Sequence, residues 1–86
     1  MAIGLAEGLA DVYLASGRSD RGTILIAALA HVRHSSGIPP SLVEQADIDR
    51  MMTLARQALS EARFSDAWDR GYVMTLDQAI EYALSE

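Results

Sequence analysis

Residues 59–84 read L-S-E-A-R-F-S-D-A-W-D-R-G-Y-V-M-T-L-D-Q-A-I-E-Y-A-L. Phe64, Ala67, Trp68 and Gly71 recur at spacings of three and four, which predicts a short helix with one apolar side. Leu76, Ala79, Ile80, Ala83 and Leu84 repeat the pattern and predict a second. Thr75, with Gln78 three residues on, has the spacing of a capping box and marks where that second helix starts. Trp68 is the only Trp and Phe64 the only Phe of the chain. Large aromatics dominate the burial energy of a small core. The rest of the chain is therefore expected to pack around this pair, with Trp68 buried between the last two helices and the Met51–Met52 side of the helix before them.

Working outward, Ile48, Met51, Met52, Ala55, Ala58 and Leu59 lie at helical spacings, with Asp49, Arg50, Thr53, Arg56 and Gln57 on the other side. Ser41-Leu42-Val43-Glu44 is a capping box that opens this third helix, and Ser60 caps the fourth. Gly37-Ile38-Pro39-Pro40 separates it from what precedes, because a residue before proline disfavours the helical region. Upstream, a second helix is expected from about Arg21 to Ser36, capped by Ser19 or Asp20. Its centre, Ile24 to Ala30, is apolar all round, the mark of a helix enclosed by neighbours.

The first helix, residues 2–16 with Gly17 as its stop, carries two apolar strips. Leu5, Leu9, Val12 and Tyr13 are expected to face the second helix. Ile3, Ala6, Ala10 and Leu14 are expected to turn away from the core and to form a partner interface. The fold class that results is all-α, about five helices in a single domain spanning residues 1–86.

Half of the 86 residues are hydrophobic, which argues against disorder. There is no Cys, hence no disulfide framework and no thiolate chemistry. All seven basic residues are Arg, and twelve acidic residues give a net charge of −5. An acidic surface repels phosphate backbones, so nucleic acid is not expected as a partner. The longest apolar run, Ile24 to Ala30, is far short of the ~20 residues a bilayer span needs, and no membrane association is expected. The N-terminus has no basic segment of the signal-peptide kind, so a cytoplasmic protein is the expectation.

The pattern A-L-(S/G)-E-x-x-F-x-x-A-W-x-x-G-x-x-(M/L)-(T/S)-L-x-x-A-(I/V)-x-(Y/L)-A-L, here running from Ala58 to Leu84, resembles the C-terminal end of a family of large bacterial signalling proteins. These are LuxR-type and related regulators that join a predicted NTPase to a long tetratricopeptide-like helical region, with cyclase-linked relatives. The family commonly has Gly where this chain has Ser60. Helices one and two are also similar to one tetratricopeptide unit: Leu9-Ala10-x-x-Tyr13, Gly17 and Gly22 follow its small-residue and aromatic spacing, without its closing Pro. The resemblance implies a tetratricopeptide-like helix pair over residues 1–37 and a three-helix terminal cap over 41–86. It implies a non-catalytic interaction or regulatory module. Its partner would be protein, either upstream domains of the same regulator or a second copy of the chain. A cap of this kind closes a stack of helix pairs. Where no preceding repeat covers helix one, the strip Ile3, Ala6, Ala10 and Leu14 would self-associate as a two-fold dimer.

Other residues suggest chemistry less specifically. His31-x-x-His34 lacks a third metal ligand. Glu44, Asp47 and Asp49 lack the glycine and terminal Glu of a calcium loop. Met51, Met52 and Met74 fit a soft ligand groove, but methionine at helical spacing is more often core filler. Ser41 at a helix start in a small acidic helical chain resembles the phosphopantetheine serine of an acyl carrier protein. The alternative reading is therefore a small carrier or ligand-binding bundle. Pro40 stands where that family has Asp, and a helix cap explains Ser41 and Glu44 together. No nucleophile–base pair or phosphate-cradling loop is present, so neither catalysis nor a cofactor is expected.

Overall fold

The computed structural model describes residues 2–85 of the chain and the side chains of residues 4–85. Five helices follow one another: α1 (Ala2–Ala15), α2 (Ser19–Ser36), α3 (Leu42–Ala58), α4 (Glu61–Gly71) and α5 (Leu76–Leu84). The fold is all-α, and no strand occurs among the described residues.

The boundaries follow local chemistry. Ser41 and Thr75 close complete capping boxes with Glu44 and Gln78, and Ser60 accepts the backbone N–H of Arg63. α1 and α2 end at the two residues of positive φ among the described residues, Gly17 at 86° and Gly37 at 71°. In each case the next N–H reaches five residues back, Arg18 to the Tyr13 carbonyl and Ile38 to that of Arg33. Glycine takes this left-handed turn without the Cβ penalty. The close at Gly17 runs directly into α2, so Arg18 is its N-cap, without a side-chain bond. The expected caps Ser19 and Asp20 lie inside the helix. Ser19 is buried there, and its carbonyl accepts the Thr23 hydroxyl at 2.8 Å.

The molecule is built around α2, not around the Phe64–Trp68 pair. Residues 22–29 are buried without interruption, and α2 packs against all four other helices. An all-apolar helix needs a neighbour on every side, and here it has one. Phe64 is buried, but Trp68 is only half-buried, at the edge of the core beside Met51 and Met52. Phe64, Trp68 and Tyr72 stack along α4 at centroid distances of 6.0 Å, and Tyr72 meets His31 at 5.0 Å. The last three helices lie against α1 and α2: α3 and α5 touch both, and α4 lies along α2.

α1 is rotated relative to the sequence reading. Ala6, Ala10 and Leu14, expected to face a partner, are buried against the rest of the fold, Ala10 completely. The side chain of Ile3, the fourth member of that strip, lies outside the described residues. Leu5 and Val12, expected to face inward, are 58% and 60% exposed. Leu9 and Tyr13 are half-buried. The reason is the closeness of α1 to α2. A Cβ on Gly22 would sit 2.7 Å from Leu14 Cγ and 3.1 Å from the Ala10 carbonyl oxygen. Gly22, having no side chain, leaves the room that Leu14 fills, and the strip Ala6, Ala10 and Leu14 is the side of α1 that meets α2.

α5 is fastened by side chains of the first two helices. The Tyr13 hydroxyl donates to the Ala83 carbonyl at 2.6 Å. Arg21 donates to the carbonyls of Tyr82 and Ser85, both at 2.7 Å, and its guanidinium lies 4.3 Å from the Tyr82 ring centre. A cation at a helix C-terminus meets both the free carbonyls and the dipole.

Candidate functional site

With Ala6, Ala10 and Leu14 turned inward, the outer face of α1 consists of Leu5, Gly8, Val12 and Ala15, at spacings of three, four and three. All four are exposed, and none is polar. Nothing lies within 4 Å of where a Cβ on Gly4 or Gly8 would stand, so the backbone here is open to a close neighbour. The stripe is flanked by the charged residues that tie α1 to α2 and α3. Glu7 accepts from Arg33 at 3.0 Å, and Asp11 holds Arg50 through two bonds of 3.2 Å. Of the strip expected to face inward, Leu9 and Tyr13 pack against the core while Leu5 and Val12 are exposed, and Ala6, Ala10 and Leu14 take the inward side instead.

A second feature lies under α3. Of this helix only Met51 and Ala55 are buried, while Leu42 and Val43 at its start are almost fully exposed. Its inner side roofs a pocket of about 250 Å³, floored by Ile26 and Leu29 and walled by Ile48, Met51, Met52 and Trp68. Glu7, Arg33, Gln45 and Asp49 stand at its margin. Met51 and Met52 thus serve core and groove at once, whereas Met74 lies elsewhere, its carbonyl 3.1 Å from Nδ1 of His31.

Arg33 links three helices. It is 10% exposed and contacts Glu7 at 3.0 Å and Glu44 at 3.1 Å, and its Nε is buried without a partner. Burial works against its charge, but the bonds to Glu7 and Glu44 outweigh it and hold the guanidinium above its ordinary pKa. The Glu44 carboxyl is held below the usual range by the Ser41 backbone N–H, then by Arg33.

All but one of the remaining sequence candidates are engaged within the fold, His34 being the exception. His31 faces the Met74 carbonyl and Tyr72, and His34 is exposed. Asp47 lies 3.9 Å from Arg50, and Asp49 accepts from Gln45 at 2.8 Å. Among the described residues no three His, Cys, Asp or Glu side chains converge as a metal site. Ser41 is exposed, and its Oγ accepts the Glu44 N–H at 3.2 Å as a helix cap. No described helix is long and apolar enough to cross a membrane. Comparison with protein-family models, with curated proteins and with solved structures finds no match to this chain.

Proposed function

We propose that the chain is a non-catalytic helical interaction module, of the helical-repeat kind its sequence resembles, acting as the C-terminal part of a bacterial transcriptional or signalling regulator in the cytoplasm. The observation that supports this reading is the unbroken uncharged stripe Leu5, Gly8, Val12 and Ala15 on α1. Monomer surfaces usually intersperse charge, and a continuous apolar strip marks a docking face. Glycine at its centre favours a helix as the docked element, since two backbones then approach closely. The partner is protein: a helix from a preceding part of the same regulator, or the same stripe on a second copy. Nucleic acid and membrane fit less well. Arg21, Arg33, Arg50, Arg56 and Arg63 are all engaged within the fold, which leaves little cationic surface for phosphates.

The test is sedimentation of the purified chain beside Gly8→Glu. The new side chain has open space, so the fold tolerates it, while a charge enters the middle of the stripe. The expected result is a wild-type dimer at high concentration and a monomeric variant with an unchanged helical circular dichroism spectrum. A dimer indifferent to the substitution contradicts the reading, and a monomeric wild type rules out the second copy as the partner.

A further inference from the structure

We propose that the pocket beneath α3 binds a small cationic amphiphile, an apolar body of about eight carbons ending in an amine. The proposal rests on the roof, the size and the charge of the pocket, and is independent of the α1 stripe.

The roof is α3, fastened to its neighbours by two ion pairs. Arg33–Glu44 holds its start and Arg50–Asp11 its middle, both through charged side chains. Its apolar contribution over the pocket is Ile48, Met51 and Met52. Methionine is unbranched and polarisable, and it reshapes around different apolar bodies. The pocket is a partly open concavity of about 250 Å³, and it is lined mainly by apolar side chains of four helices. At roughly 30 Å³ per water-sized group, it holds about eight such groups. That matches an eight-carbon chain or a single aromatic ring with a short tail.

The charge at the margin selects the head group. Glu7 and Asp49 face one cation, Arg33, and Arg33 is already bonded to Glu7 and Glu44. Asp49 is exposed, and the partner the structure gives it is the neutral Gln45 amide. The margin is therefore negative. A carboxylate head would meet Asp49 unpaired, while an ammonium would meet it as a counter-ion.

Trp68 is the only tryptophan, so its fluorescence reports the pocket directly. Octylamine and octanoate, of equal chain length and opposite charge, are titrated at constant ionic strength while melting temperature is followed in parallel. The expected result is a saturable change with octylamine, accompanied by a rise in melting temperature, and binding of octanoate at least tenfold weaker. Asp49→Lys, a substitution at an exposed position, is expected to reverse that order. Ala30→Leu, which narrows the pocket, is expected to abolish the response. Should Ala30→Leu fail to fold, Asp49→Lys still decides. Absence of saturation with octylamine, equal or tighter binding of octanoate, or an order unchanged in Asp49→Lys overturns the proposal.

Discussion

Gly71→Ala is expected to destabilise the protein by about 3 kcal/mol, the upper end of what one inserted carbon does to a packed core. α4 crosses α2 at this residue. A Cβ on Gly71 would fall on the carbonyl oxygen of Ile24 and lie 2.9 Å from the Cβ of Ala27. Neither neighbour can swing aside: one is helix backbone and the other a side chain with no rotamer. The helices must separate, and the buried contacts of Phe64 and Ala67 with the core loosen with them. In a domain this small, 1 kcal/mol moves the melting temperature by roughly 4–8 °C, so a fall of roughly 12–24 °C is expected in thermal unfolding followed by circular dichroism. Gly8→Ala is the control, because its Cβ meets nothing within 4 Å. In a helix interior it should be stabilising by about 0.5–1 kcal/mol. A Gly71→Ala variant as stable as wild type would mean that α4 does not approach α2 as described.

Ala10→Glu is expected to abolish cooperative unfolding, while Val12→Glu is expected to be tolerated. Ala10 is fully buried on the inner side of α1, so glutamate there carries a carboxylate into the core, and the one cation lining the same pocket, Arg33, is already bonded to Glu7 and Glu44. Burying an unpaired charge, together with the overpacking, is expected to cost more than about 4 kcal/mol, most of the stability available to a small domain. Val12 is largely exposed, and a charge there should shift stability by no more than about 0.5 kcal/mol. Urea denaturation of the two variants reads the orientation of α1 directly. The opposite ranking would restore the strip Ile3, Ala6, Ala10 and Leu14 as the outward face.

The helices themselves were legible in the sequence because each carries local information. Capping boxes at Ser41 and Thr75, a capping serine at Ser60, glycine stops at Gly17 and Gly37 and the Pro39–Pro40 break act over three or four residues and need no tertiary knowledge. The enclosure of α2 was legible too, since a stretch such as Ile24–Leu29 has no side fit for water. Two things were not legible. The weight of Trp68 was overstated, because aromatic size suggests centrality, whereas the stack Phe64–Trp68–Tyr72 runs along one edge of α4. The rotation of α1 is not legible because both of its strips are apolar, and which one turns inward depends on the room that Gly22 of α2 leaves for Leu14. Helix separation belongs to the pair α1–α2, and no single helix encodes it.

The candidate sites were less legible for the same reason. The outer stripe of α1 is defined by what the inner one is. The pocket beneath α3 combines Ile26 and Leu29 with Met51, Met52 and Trp68, residues of three helices whose proximity is a product of folding. The methionine pair was visible as a possible groove, but its neighbours were not.

The central claim is that α2 is the shaft to which every other element is fastened, and native-state hydrogen exchange tests it most directly. Local opening free energies range from near zero at loosely attached elements up to the global stability in the last structure to open. The amides of Ile24 to Leu29 are expected to exchange slowest and only through global unfolding. Those of α3 from Leu42 to Asp47, with no fully buried side chain among them, should exchange by local opening well before. Slowest exchange in α4 and α5, with α2 opening first, would contradict it.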